Sequence, residues 1–199
     1  MAQAATNRVL AEVFGADQGI ALRAKQAALV VSGIAALAIS AKIMVPMLPV
    51  PMSMGTFAVL TIAAAYGARL GLVTIIGYML IGMLGFDVFA TSTADLSGLT
   101  YMMGSTGGYL VGFVLATLAL GMLAARGWDR SPVKMAAALL IGNALIYVPG
   151  VLWLGHLYGF NEMIIEKGLV IFLIGDAVKL ALAAVLLPTL WKLVGRARG

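Results

Sequence analysis

The sequence predicts an all-α integral membrane protein with six transmembrane helices and both termini in the cytoplasm. Of its 199 residues, 62% are hydrophobic and only 11% are charged, and the mean hydropathy is +1.05. Soluble domains carry roughly 45–50% apolar and about 25% charged residues, so these values exclude a soluble enzyme and a disordered chain. One membrane span takes about 20 apolar residues, so the length accommodates six spans joined by short loops.

Six apolar windows mark the helices in order. We predict helices at about 26–42, 54–68, 70–85, 105–125, 135–156 and 168–192. No window alternates apolar and polar residues as the strands of a membrane barrel do. The helices form one membrane domain at 26–192, between a cytoplasmic N-terminal segment at 1–25 and a basic cytoplasmic tail at 193–199. The N-terminal segment lacks the pattern of a cleaved signal peptide, so we expect a short surface helix there.

The distribution of Lys and Arg predicts the orientation. When the loops are assigned to alternate sides, ten of the 13 basic residues fall on one side, two on the other and one within the last span. The richer side holds Arg8, Arg23, Lys25, Arg69, Arg126, Arg130, Lys134, Lys192, Arg196 and Arg198. Because cytoplasmic loops carry an excess of Lys and Arg, both termini are predicted to be cytoplasmic. The net charge of +5 therefore reflects topology in a lipid membrane rather than a nucleic-acid partner.

Two stripes of small residues at four-residue spacing mark helix surfaces that can approach another helix closely. The stripe on predicted helix four consists of Gly104, Gly108, Gly112 and Ala116. The stripe on predicted helix one consists of Ala24, Ala28, Ser32, Ala36 and Ser40. We expect the first of these to pack within the chain and the second, on a peripheral helix, to face a partner membrane protein.

Two outer loops are candidates to cover a site between the helices. The first, 45–52, contains three prolines, which keep it extended because proline fixes φ and lacks an amide hydrogen. The second, 86–103, is the longest outer segment and contains several Asp, Ser and Thr residues. The alternative is that both loops are ordinary connectors.

Four polar residues within the predicted spans are candidates for a binding site. Asp176 and Lys179 are three residues apart on one face of the last helix. Each costs about 2.5–3.5 kcal/mol at mid-bilayer, so both must face the protein interior, paired with each other. Because a buried ion pair adds little net stability, we favour a binding role over a structural one. Asn143 and Tyr147 share a face of helix five, where a binding contact or an interhelical hydrogen bond would suit the Asn143 amide.

The remaining candidates do not build an enzyme. Thr106 and Tyr109 open helix four, where they offer hydroxyl and stacking contacts, whereas His156, the only histidine, fits an interfacial position. The sequence contains no phosphate-binding loop of the G-x-x-x-x-G-K-[ST] type and no H-E-x-x-H motif. A second intramembrane aspartate, which an aspartyl protease dyad needs, is also absent from the sequence. We therefore predict neither catalysis nor a metal site.

Several segments resemble the BioY family, the biotin-binding S components of energy-coupling-factor (ECF) transporters. The matching stretches are PVPM at 49–52, GFDVFA at 85–90, GSTGGYLVGF at 104–113, GNALIY at 142–147 and GDAVK at 175–179. The chain departs from the family where Asp87 and Ser105 replace proline and where Gly55 replaces a frequent glutamine. The residues that match the family's ligand contacts are Asp176, Lys179, Asn143, Tyr147, Tyr109, Gly108 and Thr106.

The resemblance implies the S-component fold, with biotin held near the outer surface beneath the first and third loops. It implies biotin as the ligand and no cofactor of the chain's own. It also implies a transmembrane coupling protein and a pair of cytoplasmic ATPases that use ATP, all at the prokaryotic inner membrane. We expect the coupling protein to contact the helix-one stripe, chiefly Ala28, Ser32, Ala36 and Ser40.

Three alternatives stay open at the level of sequence. An S component for thiamine or riboflavin would favour more aromatic residues than the 8% found here. A membrane scaffold without a ligand would not explain the buried Asp-x-x-Lys face. A self-sufficient transporter that acts as a homo-oligomer is the third.

Overall fold

The computed structural model describes residues 8–13, 15–46, 48–93 and 95–198, and most of these are helical. The helices are α1 (Gly19–Lys42), α2 (Gly55–Met83), α3 (Gly98–Met102), α4 (Gly107–Ala125), α5 (Pro132–Tyr158), α6 (Glu162–Ile165) and α7 (Ile171–Arg198). A π-helical segment, Glu166–Val170, joins α6 to α7, and short 3-10 turns lie at Leu10–Glu12 and Trp128–Arg130. A small antiparallel hairpin pairs β1 (Met44–Val45) with β2 (Met52–Ser53). The all-α class is confirmed.

Helix α2 is a hairpin of two helical arms. Gly67 interrupts it with φ 76° and ψ 174°, a conformation that favours glycine. A Cβ added to Gly71 would lie 3.5 Å from the Ala63 Cα atom, whereas residues eight apart in a straight helix are separated by about 12 Å. The arms 55–66 and 68–83 therefore run back along each other, with the turn where the sequence predicts the boundary between two spans.

The end of α1 lies beside the end of the second arm. Lys42, the last residue of α1, pairs with Asp87, just after the second arm, at a Nζ–Oδ1 distance of 2.5 Å. Counted by helix length and composition, the described residues contain five candidate spans, with the hairpin counted as one. The six-span count and the cytoplasmic location of both termini remain predictions.

Three helix ends differ from the sequence prediction by six residues or more. Helix α1 begins at Gly19 rather than at 26, and α7 continues to Arg198 rather than ending at 192. The last candidate span begins at Glu162 rather than at 168. Hydropathy locates the apolar window of a span, but backbone hydrogen bonding continues into polar turns beyond it. The part of the N-terminal segment that the structure describes is accordingly a 3-10 turn followed by the first turns of α1.

The glycine stripe packs against another helix of the same chain, as predicted. Cβ atoms added to Gly108 and Gly112 would lie 2.3 Å from the Pro149 carbonyl oxygen and 2.6 Å from the Ile146 Cα atom of α5. Ala116 is fully buried. Gly104 lies before α4, and its carbonyl accepts a hydrogen bond from Trp153 Nε1 at 2.8 Å. Small residues thus let α4 and α5 touch through their backbones.

Asp129 and Arg130 together join three segments at the end of the bundle that holds the α2 turn. Asp129 is 0% exposed, and its Oδ2 atom accepts a hydrogen bond from Trp191 Nε1 at 2.5 Å. The Arg130 guanidinium stacks over the Trp191 ring at 4.3 Å and donates to the Arg8 carbonyl at 3.1 Å. Burial raises the pKa of Asp129 to about 6, against the lowering effect of the Trp191 hydrogen bond and the Arg130 charge.

This pKa predicts a pH-dependent stability. A carboxyl whose folded-state pKa lies above its unfolded value of 3.8 is penalised when charged, so stability is lost as pH rises through about 6. Between pH 7 and pH 5 the wild type should therefore gain about 1–1.5 kcal/mol through this group. Asp129→Asn should lack that gain, measured as the shift of its unfolding midpoint in detergent. Exposed Asp95→Asn is the matched control; equal pH shifts in both variants would contradict the assignment.

Candidate functional site

A cavity lies at the opposite end of the bundle, beside the β-hairpin and the long third loop. The cavity volume is about 70 Å³, measured as the space that the centre of a water-sized sphere can occupy. One water needs about 10–15 Å³ on this measure, so the cavity is several times larger. The described residues lining it include seven aromatic side chains: Tyr78, Phe89, Tyr101, Tyr109, Phe113, Tyr147 and Phe172. Its walls therefore suit a flat or apolar molecule, with orientation left to a few polar groups.

Asp176 and Lys179 form an ion pair beside this cavity, as the sequence predicts. Lys179 Nζ lies 3.0 Å from Asp176 Oδ1, and Asp176 is only 4% exposed. Tyr147 donates its hydroxyl hydrogen to Asp176 Oδ2 in a very short hydrogen bond. The carboxylate is thus balanced by one cation and one hydroxyl, which compensates for its removal from water.

Lys179 also connects α7 to the first loop. Its ammonium donates to the Ser53 carbonyl at 2.7 Å and to Thr56 Oγ1 at 3.1 Å. With Asp176 these partners use all three hydrogens of the ammonium. Sequence reasoning missed Ser53 and Thr56, because nothing in their spacing relates them to a residue more than 120 positions away.

Asn143 lies next to the ion pair with an unused acceptor. Its Oδ1 atom is buried without a hydrogen-bond partner among the described residues. It lines a second, very small cavity with Thr56, Asp176 and Lys179, of about 10 Å³ on the same measure. Buried acceptors are normally satisfied, so this amide is positioned to receive a donor from a ligand or water.

Tyr109 holds the irregular start of the last span. Its hydroxyl donates to the Gly168 carbonyl at 2.7 Å, within the π-helical segment, and its ring meets that of Tyr147 edge-on at 6.1 Å. A π-helical turn disturbs the regular backbone hydrogen bonding and is frequent at functional sites. Tyr109 therefore connects this backbone irregularity to the cavity wall.

The other predicted residues separate into two groups. Thr106 lines the main cavity. Gly108 does not line it, because the glycine lies against α5 and a Cβ there would be 2.4 Å from the Trp153 Cβ atom. His156 is exposed, with its ring 6.0 Å from that of Trp153.

The two outer loops meet over the cavity. Phe89, 2% exposed, stacks on Tyr101 at 4.9 Å and meets Tyr78 edge-on at 5.3 Å. Ser105 Oγ donates to the Pro49 carbonyl at 2.7 Å, which joins the third loop to the first. The expectation that these loops cover a site agrees with this geometry. The role of Phe89 and its aromatic partners was not predicted, although their density along 78–101 was a usable signal.

Asp87 connects the third loop to α1. Hydrogen bonds from Lys42 and Ser92 hold the pKa of its carboxyl below the usual range, and the same Lys42 also reaches the Ser92 carbonyl at 3.4 Å. The family that the chain resembles usually has proline at the position of Asp87. In this chain Asp87 instead forms an ion pair that joins the third loop to α1.

The helix-one stripe is directed mostly away from the bundle. Ala28, Ser32 and Ala36 are exposed, and Ser40 is half-buried. Ser32 Oγ donates to the Leu29 carbonyl at 3.0 Å within the helix. The stripe is thus available for contact with another membrane helix.

Comparisons with known proteins agree with this geometry. A family model described as the BioY family matches residues 11–196. A probable biotin transporter BioY of Pyrococcus horikoshii is 33% identical over 165 residues, which cover 83% of this chain and 95% of that protein. A biotin transporter BioY of Thermotoga maritima is 33% identical over 159 residues, covering 80% of this chain and 91% of that protein.

A solved structure shows the same fold. The chain matches the crystal structure of the S-component for biotin from an ECF-type ABC transporter with a TM-score of 0.73 and 17% identity. The match covers 88% of this chain and 95% of the other. Together with the five apolar helices, it identifies a multi-pass membrane protein with the S-component fold.

Proposed function

The chain belongs to the BioY family, and on that premise we propose that it is the biotin-binding subunit of an ECF transporter that takes up biotin. The observation that carries the proposal is the buried Asp176 carboxylate, paired with Lys179 and close to the buried Oδ1 atom of Asn143, beside a cavity with aromatic walls. The closely related transporters named for biotin support the choice of ligand.

The chemistry of biotin fits these groups. Its ureido ring has two N–H donors and a carbonyl, and its tail ends in a carboxylate. Asp176 accepts a hydrogen bond from one ureido N–H, while Lys179 and the free Asn143 acceptor complete the polar contacts. Tyr147 and Tyr109 support this set from one side, and the aromatic walls enclose the apolar part of the ligand.

Thermal unfolding of the detergent-purified chain tests the proposal, with biotin, desthiobiotin, thiamine and riboflavin as ligands. A ligand at about 100 times its dissociation constant adds roughly 2.7 kcal/mol of stability. A shift of the midpoint with biotin, and none with thiamine or riboflavin, is the expected result. A shift with another vitamin alone would mean that this vitamin, rather than biotin, is the substrate. A folded sample whose midpoint shifts with none of the ligands would favour a membrane scaffold that binds no vitamin.

In this proposal, partner ATPases supply the energy for uptake, as the family resemblance implies, and the absence of a phosphate-binding loop from the sequence is consistent with that. We place the chain in the prokaryotic inner membrane with both termini cytoplasmic, supported by the excess of basic residues on one side. In this arrangement a transmembrane coupling protein packs on the α1 stripe and connects it to two cytoplasmic ATPases. The exposure of Ala28, Ser32 and Ala36 supports that contact.

Ala36→Trp is expected to abolish assembly with the coupling protein while sparing biotin binding. The indole would stand on the exposed stripe and separate two helices that approach through small residues. Co-purification with the coupling protein and the biotin-induced thermal shift are the two measurements. Ala35→Trp, the same change at an exposed position about 100° around the helix, is the control. Normal assembly of the Ala36 variant would count against this interface.

A further inference from the structure

A second hollow lies at the end of the molecule opposite the biotin cavity. It is bounded by the N-terminal segment from Arg8, the first half of α1 and the turn of α2 around Gly67. About 1270 Å³ of it is open to the centre of a water-sized sphere, which exceeds the ~300–1,000 Å³ of a typical small-molecule site. We call it the basal groove.

The N-terminal wall of the basal groove is fixed in place. Val9 is 3% exposed and packs on Gly67, whose added Cβ would lie 3.2 Å from the valine methyl groups. The Arg8 carbonyl accepts the hydrogen bond from Arg130, and Glu12 accepts one from the Val9 amide at 3.2 Å. The groove is therefore a formed feature of the fold.

The basal groove combines an apolar wall with a basic rim. Ile20, Val31 and Val73 border it and are 85%, 67% and 53% exposed. Among the described residues lining it, the charged ones are four basic and two acidic: Arg8, Arg23, Lys25, Arg69, Glu12 and Asp17. Because the four basic residues outnumber Glu12 and Asp17, the rim carries a net positive charge, and three of its cations are guanidinium groups.

This combination matches one kind of occupant. Guanidinium groups bind phosphate with charge-assisted hydrogen bonds, and basic pockets between transmembrane helices on the cytoplasmic side bind anionic headgroups. The apolar wall along α1 and the second arm of α2 continues from this rim toward the middle of the spans. We propose that the basal groove binds an anionic phospholipid, with the phosphate on Arg23 and Arg69 and an acyl chain along Val31 and Val73.

The proposed lipid and the coupling protein would contact different residues of α1. The residues of α1 that border the groove include Ile20, Arg23 and Val31, whereas Ala28 and Ala36 do not border it. Successive residues of a helix are turned by about 100°, so the groove and the small-residue stripe occupy neighbouring faces of α1. A lipid seated in the groove would support the helix beside the face that meets the partner.

The test uses the full chain in neutral detergent, with bound lipid counted by native mass spectrometry and the unfolding midpoint measured. The probes are phosphatidylglycerol, phosphatidylcholine and inorganic phosphate. The variant is Arg23→Gln with Arg69→Gln, and its matched control is Arg126→Gln with Lys192→Gln. The control removes equal charge from exposed residues that do not line the groove. An unchanged elution profile checks the fold of each variant independently of biotin binding.

Phosphatidylglycerol should bind the wild type and the control alike, raise their midpoints, and bind the groove variant at least five-fold more weakly. Phosphatidylcholine and inorganic phosphate should give no comparable shift. An equal loss of phosphatidylglycerol binding in both double variants would show that binding depends only on general surface charge, and it would overturn the proposal. An equal shift with phosphatidylcholine, or with phosphate alone, would overturn it as well.

Discussion

Asp176→Asn is expected to weaken biotin binding by about 100-fold or more. The change removes the charge that pairs with Lys179 at 3.0 Å and accepts from Tyr147. Removing one partner of a buried ion pair leaves the other charge uncompensated, which lowers the free energy of unfolding by about 3–5 kcal/mol. An asparagine also presents an amide N–H₂ where a ureido donor needs an acceptor. Titration calorimetry on the purified variant measures the affinity directly.

Two further variants make this result interpretable. Asp95→Asn, a similar change at an exposed loop residue, should bind biotin like the wild type. Tyr147→Phe retains the carboxylate but removes its hydroxyl partner, so a loss of roughly ten-fold is expected for one charge-assisted hydrogen bond. An Asp176→Asn variant with wild-type affinity would contradict the assigned role, and Tyr147→Phe provides the test if the first variant does not fold.

Gly121→Ala is expected to destabilise the protein by about 3 kcal/mol or more, the upper end of the overpacking range. A Cβ at this position of α4 would lie 2.2 Å from the Ala68 nitrogen and 2.4 Å from the Ala68 Cα atom, at the turn of the α2 hairpin. These are backbone atoms, so relief requires the two helices to separate. The unfolding midpoint and the yield of folded protein are the measurements.

Gly77→Ala is the matched control for this prediction. Its added methyl group would meet only the end of the Ile34 side chain, at 2.9 Å, which can rotate away. Alanine is also favoured over glycine inside a helix by about 1 kcal/mol, so this variant should be as stable as the wild type or more so. If both variants unfolded at the same temperature, the close approach of α4 to the α2 turn would not determine the stability of the protein, which would contradict the prediction.

The sequence predicted the structure well where the membrane leaves a side chain few favourable environments. Asp176 and Lys179 lie deep in an apolar span three residues apart, and the structure pairs them. The helix-four stripe likewise permits close packing at Gly112, which the contact with Ile146 bears out. In both cases the physical constraint is local to one helix and can be read from spacing alone.

Features that depend on distant residues were not predictable. The π-helical segment at Glu166–Val170 leaves no mark in hydropathy, and its Gly168 carbonyl is bonded by Tyr109 from another helix. Overall composition also gave no guide to the cavity wall, because the aromatic content of 8% was used only to disfavour an S component for thiamine or riboflavin. The fold gathers seven aromatic side chains around one cavity, so aromatic content does not exclude other vitamins, and the selection of biotin depends on the polar set.

The roof built from Phe89, Ser105 and Pro49 has a kinetic consequence. Both loops contribute to the cavity wall and are tied together by the Ser105 hydrogen bond, so we expect ligand entry to require this contact to open. Lid motions of this kind take microseconds to milliseconds. The observed association rate should therefore level off at high biotin concentration, at the rate of loop opening. Residence time, rather than the speed of encounter, then sets how long a captured vitamin remains available for uptake.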